Sequence, residues 1–305
     1  MMKKKLTAKD LIIGIDIGGT KVKLVLMRGN KVLREDKYLV KSFNTPRKFL
    51  ATLIATIELI LSGYDIEHCR GIGIGLAGAL DQKRVKVLFP PNLALLKKLD
   101  LRRSLRGRFN LPVLLENDTN AMALGEMMFG AGKGKESLVM ISMGTGTGGG
   151  VCYRRDGKVS LLTGHHGVAG ELGRMIINFN GVEGRPRLSG EAEQYLSAKF
   201  ISRRSGKHPL KLQQEAERGV KKARQIYDEL GEYLGYVLAN IVHTYDPQII
   251  VLGGGVSEAY KLFIKTAKET MKNNLMVPVE TKITSSQLGD RAGAMGAAAL
   301  FTLYD

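Results

Sequence analysis

Hydrophobic and polar positions in the first third of the chain predict short strands followed by a helix. The run 11–17 is rich in β-branched residues and ends in a glycine pair, and the runs 22–27 and 31–38 follow it. Arg28-Gly29-Asn30 separates the last two runs with residues typical of a turn. We therefore expect an antiparallel three-stranded meander over these runs.

The same segment continues with a predicted helix and a further strand. Apolar residues recur at helical spacing over 49–61, and Gly63 ends the pattern. A buried strand is predicted next at 71–75. The mixed order of three strands, helix and strand differs from a purely parallel βαβ series.

A similar order of elements begins again near residue 137. Strands are predicted at 137–143, 149–153 and 158–162, with Asp156-Gly157 as the hairpin turn between the last two. A long helix carries apolar residues on one face, and a buried strand at 249–252 follows it. The residues of the helix face are Ile226, Leu230, Tyr233, Val237 and Ile241. The repeated order predicts a duplicated mixed α/β fold with a cleft between the copies.

Length and composition limit the classes of protein to consider. The 305 residues suggest about two domains, and 44% hydrophobic with 25% charged residues is typical of a globular chain. No stretch has the pattern of a signal peptide or the length of a membrane span. Two cysteines are too few for a disulfide framework, so we expect a cytoplasmic protein.

The net charge of +17 at pH 7 is unusually basic and raises the possibility of an anionic partner. The basic residues are scattered, however, and no nucleic-acid-binding module accompanies them. We therefore interpret the charge as a solvated basic surface and expect no nucleic acid or membrane partner.

Two glycine-rich segments fit the spacing G-x-G-x-x-G, at 73–78 and 144–149. A dinucleotide-binding fingerprint must lead from a strand directly into a helix, whereas a turn or a strand follows each of these segments. The segment 132–135 also lacks the spacing of a Walker A loop. The sequence therefore excludes NAD binding by this motif and a P-loop.

Three glycine-rich loops nevertheless follow hydrophobic strands, at 18–21, 144–147 and 253–255. Glycine lets backbone N–H groups approach an anion closely, and threonine hydroxyls add further donors. Asp16, at the end of the first strand, suits a Mg²⁺ ion that keeps most of its waters beside phosphates. Each loop alone is more often an ordinary turn, but the three together predict a phosphate site.

Asp118 is the candidate catalytic carboxylate. It follows the apolar run 111–115, which places it at a strand end, where the site residues of α/β sheets gather. Phosphoryl transfer requires a carboxylate to orient and deprotonate the attacking hydroxyl. The alternative is that Asn117 and Asp118 cap a helix over 119–128. We favour the catalytic role for Asp118, with capping assigned to Asn117.

The order of motifs resembles the ROK family of the sugar kinase/Hsp70/actin superfamily, across nearly the whole chain. The motifs are Asp16-Ile-Gly-Gly-Thr-Lys21, Glu116-Asn-Asp-Thr-Asn-Ala-Met-Ala-Leu-Gly-Glu126, Gly144-Thr-Gly-Thr-Gly-Gly149, Gly170-Glu-Leu-Gly173, Asp246-Pro-Gln-Ile-Ile-Val-Leu-Gly-Gly-Gly255 and Gly289-Asp-Arg-Ala-Gly-Ala-Met-Gly-Ala-Ala298. The family contains sugar kinases and repressors, and because the first phosphate loop begins at Asp16 we expect no DNA-binding domain before it. The resemblance therefore favours a kinase.

The resemblance implies an α/β fold of two ribonuclease H-like (actin-like ATPase) lobes, with mixed β-sheets flanked by helices and a cleft between them. We expect an N-terminal lobe of residues 1–120, joined by a C-terminal helix at about 294–305, and a C-terminal lobe of residues 121–293. It also implies a homodimer.

The resemblance further implies the site residues and their ligands, which are ATP with Mg²⁺ and a sugar. The residues expected at ATP are Asp16, Gly18, Gly19, Thr20, Lys21, Gly144, Thr145, Gly253, Gly254 and Gly255. The residues expected at the sugar are Gly78, Asn117, Asp118, Glu171, Arg174 and Glu193.

Arg174 marks a departure from the family pattern. Most members hold a structural zinc with a histidine at this position and three cysteines in the segment that here reads 184–191 and contains none. Zinc sites require thiolates and imidazoles, so we expect no structural zinc. Ion pairs among Glu183, Arg185, Arg187 and Glu191 are expected to stiffen the segment instead.

The lost histidine normally also touches the sugar, so Arg174 bears on the substrate. Either Arg174 points away or donates to a neutral hydroxyl, or it marks a changed substrate such as an acidic or N-acylated sugar. The expected reaction is ATP-dependent phosphorylation of a hexose, glucose first, with N-acetylmannosamine, N-acetylglucosamine or fructose as alternatives. A non-catalytic sugar-sensing regulator is the alternative of another class.

Overall fold

The computed structural model describes residues 7, 9–40, 43, 45–81, 84, 87–89, 99–185 and 188–304. Its strands are β1 (Leu11–Ile17), β2 (Lys21–Arg28), β3 (Lys31–Leu39), β4 (Cys69–Leu76), β5 (Ala79–Leu80), β6 (Val87–Phe89), β7 (Val113–Asn117), β8 (Ser137–Met143), β9 (Thr147–Arg155), β10 (Lys158–Leu161), β11 (Glu183–Arg185), β12 (Leu188–Ser189), β13 (Ile249–Gly253) and β14 (Lys282–Ser285). Its α-helices are α1 (Pro46–Leu61), α2 (Leu101–Phe109), α3 (Asp118–Phe129), α4 (Glu193–Leu196), α5 (Ala198–Ser205), α6 (Pro209–Glu217), α7 (Lys221–Tyr245), α8 (Tyr260–Asn273) and α9 (Ala292–Ala299).

Two five-stranded sheets form the framework, and their strand orders are β3-β2-β1-β4-β7 and β10-β9-β8-β13-β14. In the first sheet β1, β2 and β3 form an antiparallel meander, while β4 pairs parallel with β1 and with β7. In the second sheet β10 pairs antiparallel with β9, while β13 pairs parallel with β8 and with β14. The predicted mixed sheets and the predicted meander are confirmed.

Backbone contacts divide the chain into two compact units. The first contains residues 1–134, 151–169 and 287–305, and the second contains 135–150 and 170–286. The stretches 121–134, 151–169 and 287–293, which we expected in the C-terminal lobe, belong to the first unit by these contacts. The division into functional lobes with a boundary near residue 120 stays a prediction.

In the first unit, the alternation of side chains along β1 separates two faces. Ile13, Ile15 and Ile17 are fully buried in one cluster with the apolar face of α1. Gly14 lies on the opposite face, where an added Cβ would meet the Ala294 carbonyl of α9. The small residues of α9 therefore let this helix lie directly on the sheet, and Asp16 shares the face of Gly14.

In the second unit, α7 is the central helix, as its apolar periodicity predicts. Its buried face includes Ile226, Leu230, Val237 and Ile241, whereas Tyr233 is half-buried. Gly231 and Gly235 admit α8, because an added Cβ at either would lie 3.0 Å or less from backbone or side-chain atoms of that helix. The helix ends at Tyr245, and its C-cap residue Asp246 adopts φ 42° before Pro247.

Candidate active site

In the first unit, the register of three neighbouring strands brings candidate residues together at their carboxyl ends. Asp16 of β1 pairs with Gly75 of β4, and Gly75 pairs with Glu116 of β7. Asn117 and Asp118 follow Glu116 at the junction between β7 and α3. The position predicted for Asp118, at a strand end, is confirmed, and an opening for substrates at such an edge is typical of α/β sheets.

Asp16 lies against the start of α9. An added Cβ at Gly293 would lie 2.7 Å from Cγ and from Oδ2 of Asp16, so only glycine fits there. Burial, followed by the negative charge of Asp118, raises the pKa of Asp16 to about 7, while Lys23 opposes this change. Lys23 does not reach Asp16 as an ion pair, because its ammonium group binds the carboxylate of Asp290 at 2.7 Å.

Asp118 is the first residue of α3. Its Oδ1 accepts a hydrogen bond from the Thr119 N–H at 2.8 Å, as expected for a carboxylate at a helix N-terminus. Burial nevertheless raises the pKa of Asp118, against the lowering effect of the Thr119 hydrogen bonds. Across the described ranges, neither Asp16 nor Asp118 forms an ion pair with a cationic side chain.

Asn117 is the N-cap of α3 and also forms a hydrogen bond with Gly78. Its Oδ1 accepts hydrogen bonds from the N–H groups of Thr119 at 2.9 Å and Asn120 at 3.1 Å. Its Nδ2 donates to the Gly78 carbonyl at 3.2 Å. Gly78 has φ 131°, a conformation that favours glycine. The capping role predicted for Asn117 is confirmed, and the tie connects two residues expected at the sugar.

A buried charged group beneath this junction was missed by sequence reasoning. Glu116 is only 3% exposed, forms an ion pair with Arg84, and accepts a hydrogen bond from Nδ2 of Asn120 at 3.0 Å. Its Oε1 also accepts from the Asn117 N–H at 2.9 Å. Local spacing carried no signal for this contact, because Glu116 lies in β7 and Asn120 in α3. The group fixes the backbone that carries Asn117.

The first glycine-rich loop is the turn between β1 and β2. The Gly18 N–H donates to the Lys21 carbonyl at 3.0 Å, and the Thr20 carbonyl accepts from the Val40 N–H at 2.8 Å. Gly18 and Gly19 are half-buried, whereas Thr20 and Lys21 are exposed. The turn therefore presents a hydroxyl and an ammonium group to solvent, four and five residues beyond Asp16.

In the second unit, the loop between β8 and β9 is tied directly to the start of α4. Gly144 donates its N–H to the Gly146 carbonyl at 2.8 Å and accepts from the Ala198 N–H at 2.8 Å. The Thr147 N–H donates to Glu193 Oε2 at 2.9 Å. An added Cβ at Gly146 would collide with that carboxylate. Thr145, at the exposed tip, is the loop's most accessible residue.

Arg174 contacts two carboxylates of the same unit. Its Nη1 lies 3.1 Å from Glu193 Oε1 and 3.6 Å from Glu191 Oε1. Glu191, which the sequence analysis did not place in the site, is 2% exposed at its side chain. Of the ion pairs expected near it, Arg187 lies outside the described residues, as does the side chain of Arg185.

The third glycine loop follows β13. Gly253 ends the strand, and Gly254 has φ 80° with its Cα against the backbone of Met143. Gly255 begins a 3-10 turn that leads into α8, and the Gly254 carbonyl accepts from the Ser257 hydroxyl at 2.6 Å. This loop therefore approaches the end of β8, immediately before Gly144.

The predicted site residues thus form two groups, one in each unit. The first unit brings together Asp16, Gly18, Gly19, Thr20, Lys21, Gly78, Asn117 and Asp118. In the second unit Gly144, Thr145, Gly253, Gly254 and Gly255 lie at adjoining strand ends, and Arg174 meets Glu193. Glu171 is exposed beside the same 3-10 turn as Arg174.

Among the residues that the structure describes, no cluster of three or more His, Cys, Asp and Glu side chains is arranged to hold a metal ion. Among the helices described, none combines the length and the apolar character needed to cross a membrane.

The chemistry available to the group in the first unit depends on the carboxylate oxygens of Asp16 and Asp118. Two carboxylates with raised pKa values and no cationic partner can accept a proton or face a hydrated cation. The second group has a different character, because its Glu193 carboxylate already binds the Thr147 N–H and the Arg174 guanidinium group.

Comparisons with known proteins agree with these features. A model of the ROK family matches residues 12–303. A glucokinase from Streptomyces coelicolor is 31% identical over 321 residues, which cover 95% of this chain and 97% of that protein. A xylose repressor from Caldicellulosiruptor bescii is 29% identical over 316 residues, which cover 95% of this chain and 77% of the repressor.

Two solved structures show the same fold. The crystal structure of a ROK family glucokinase from Streptomyces griseus in complex with glucose and AMPPNP is 30% identical with a TM-score of 0.80, and it covers 95% of this chain and 98% of that chain. A ROK hexokinase from Thermus thermophilus is 28% identical with a TM-score of 0.83, and it covers 95% of this chain and 97% of that chain.

Proposed function

We propose that this chain, which belongs to the ROK family and is a carbohydrate kinase, transfers the γ-phosphoryl group of ATP to a hydroxyl of a hexose. Glucose is the first candidate acceptor, because the similar proteins include glucokinases and a structure holding glucose and an ATP analogue. An N-acylated amino sugar and fructose are the alternatives.

The observation that carries this proposal is that Asp16 and Asp118, at the carboxyl edge of the first sheet, form no ion pair with any cationic side chain that the structure describes. A structural carboxylate of a folded protein is normally ion-paired or fully hydrogen-bonded when buried. A general base must instead keep an oxygen open to its substrate, and these two groups meet that requirement.

Asp118 acts as the base in the proposed reaction. Its carboxylate accepts a hydrogen bond from the acceptor hydroxyl and takes the proton as the hydroxyl oxygen bonds to the γ-phosphorus. The bond between the γ-phosphorus and the bridging oxygen breaks, and ADP leaves with the electron pair. The Thr119 N–H, which holds Oδ1 at 2.8 Å, keeps the carboxylate oriented during this step.

Asp16 fits a magnesium ion held through water. Hydrated Mg²⁺ prefers carboxylate oxygens, and Asp16 offers one that no described cationic side chain neutralises. When bound, the ion offsets the negative charge of the phosphates during transfer. Gly18, Gly19, Thr20 and Lys21 complete this part of the proposed nucleotide site.

The remaining predicted residues are assigned by the same proposal. Gly144 and Thr145 contact the terminal phosphates, and Gly253, Gly254 and Gly255 lie near the nucleotide. Gly78, Asn117, Glu171 and Glu193 contact sugar hydroxyls. The tie between Asn117 and Gly78 supports their shared role, since both are held in one place before substrate arrives.

The proposed enzyme is cytoplasmic and a homodimer. A panel of sugars with ATP and Mg²⁺, followed by coupled detection of ADP, tests the function. We expect glucose to stimulate ADP formation well above the sugar-free rate. If no hexose, N-acylated amino sugar or fructose stimulates it, the kinase assignment is wrong.

A second candidate function is sugar sensing without catalysis, which the similarity to a xylose repressor favours. This alternative predicts sugar binding in calorimetry without ATP turnover, or duplex DNA binding that weakens with salt. The presence of Asp118 at the α3 N-terminus favours the kinase.

A further inference from the structure

The Arg174 side chain contacts two carboxylates, those of Glu191 and Glu193. Nη1 lies 3.1 Å from Glu193 and 3.6 Å from Glu191, and the side chain is 29% exposed. Arg174 ends a 3-10 turn over Leu172–Arg174, while Glu193 begins α4. One guanidinium group therefore joins two segments that are 19 residues apart in the chain.

Both oxygens of Glu193 are engaged by different donors. Arg174 holds Oε1 at 3.1 Å, and the Thr147 N–H holds Oε2 at 2.9 Å. Hydrogen bonds that involve a charged partner are shorter and stronger than neutral ones, so together they fix the plane of the carboxylate. The side chain remains 15% exposed, which leaves it an accessible edge.

Glu191 anchors the guanidinium group from the buried side. Its side chain is 2% exposed, and an added Cβ at Gly184 would lie 2.8 Å from Oε2. The backbone on either side of it is fixed as well, since the Ala192 N–H donates to the Met175 carbonyl at 2.8 Å. Glu191 therefore lacks the room to turn toward a substrate, and it restrains Arg174.

The charges of this group decide what Arg174 can recognise. One guanidinium group faces two carboxylates, those of Glu191 and Glu193. An anionic sugar would have to displace Glu193 from Arg174 and would also be repelled by Glu191. A neutral sugar can donate its hydroxyl hydrogen bonds to the fixed Glu193 carboxylate, and it is not repelled by Glu191.

We propose that Arg174 is a positioning residue that holds Glu193 for a neutral sugar, and that the Arg174, Glu191 and Glu193 group selects against acceptors that carry a carboxylate. This inference rests on the proposed kinase function. Arg174 then acts on the sugar through Glu193. An acidic sugar, one of the substrates that the sequence left open, is disfavoured. It also connects the acceptor side to the 144–147 loop, because Thr147 shares Glu193.

The test compares Arg174→Met with Arg174→Lys and with a control, Arg204→Met. Arg204 pairs with Glu229 at 2.8 Å in the same unit, so the control removes an ion pair of the same kind away from the site. For each protein we would measure the KM for glucose and for ATP, kcat, the thermal midpoint and the rate with glucuronate.

We expect Arg174→Met to raise the glucose KM about tenfold, which corresponds to about 1.4 kcal/mol, while the ATP KM changes less than about twofold. Arg174→Lys should recover part of the loss, because Lys keeps the charge but lacks the planar fork. Arg204→Met should match the wild type. Wild-type turnover of glucuronate should be at least about 100-fold lower than that of glucose.

An unchanged glucose KM in Arg174→Met would overturn the positioning role, and efficient phosphorylation of glucuronate by the wild type would overturn the selection. If Arg174→Met fails to fold, the glucose KM of Arg174→Lys decides between the same outcomes. If the wild type phosphorylates no sugar at all, the proposed function itself fails, which is a distinct result.

Discussion

The two units treat their candidate carboxylates in opposite ways. In the first, neither Asp16 nor Asp118 forms an ion pair within the described part of the chain, and burial raises the pKa of both. In the second, Glu191 and Glu193 share the guanidinium group of Arg174. Unpaired carboxylates cost stability but keep oxygens for protons and cations, whereas paired carboxylates are fixed and suited to holding a ligand.

The largest expected effect comes from removing the proposed base. Asp118→Asn keeps the size and the hydrogen-bond acceptor that Thr119 uses, but it cannot take a proton. We expect kcat to fall about 10²–10⁴-fold, the usual contribution of a general base, while glucose binding measured by calorimetry changes little. A kcat near the wild-type value would remove Asp118 from this role.

The next largest effect concerns Asp16, whose ionised form lowers the free energy of unfolding. Because its pKa is raised from 3.8 to about 7, folding binds an extra proton, and stability is lost as the pH rises between these values. In metal-free protein, Asp16→Asn should therefore raise the thermal midpoint relative to the wild type, increasingly from pH 4.5 to pH 8. The change in the pKa of Asp16 from 3.8 to about 7 limits the gain in unfolding free energy to about 4 kcal/mol.

Asp290 provides the matched control, because its ion pair with Lys23 lowers its pKa. Its contribution to stability is fully present above the ordinary pKa of 3.8 and is lost as the pH falls below that value, so Asp290→Asn should lower the midpoint at pH 8 and lower it progressively less in acid. Equal responses from the two variants would contradict the contrast between paired and unpaired carboxylates.

The smallest effect separates the two contacts of Asn117. Asn117→Ala removes the cap of α3 and should cost about 1 kcal/mol of unfolding free energy, measured by urea denaturation. Asn117→Asp keeps the capping oxygen but loses the donor to the Gly78 carbonyl. We expect Asp to restore most of the stability but not the glucose KM. Full recovery of both by Asp would show that the tie to Gly78 is unimportant.

Much of the fold could be predicted from local patterns. The bounds of β1 and β8 match the predicted runs at 11–17 and 137–143, because each is a continuous apolar segment bounded by turn residues. The hairpin at Asp156-Gly157 and the capping role of Asn117 also follow from local chemistry.

The contacts that distinguish the two units could not be predicted in this way. The pairing of Arg174 with Glu193 depends on how a 3-10 turn meets α4, and the burial of Glu191 depends on the path of the chain between them. Spacing along the sequence carries no signal for such long-range pairs. The close approach of α9 to Asp16 likewise becomes visible only once Gly293 is seen against the carboxylate.

The central claim is that this chain moves the γ-phosphoryl group of ATP to a sugar. The most direct measurement follows a label on the γ-phosphate during incubation of the wild-type protein with glucose and Mg²⁺. We predict that the label appears in a sugar phosphate in a one-to-one ratio with ADP, and that Asp118→Asn abolishes this transfer. Label found only in inorganic phosphate or remaining in ATP, with every sugar of the panel, would contradict the account.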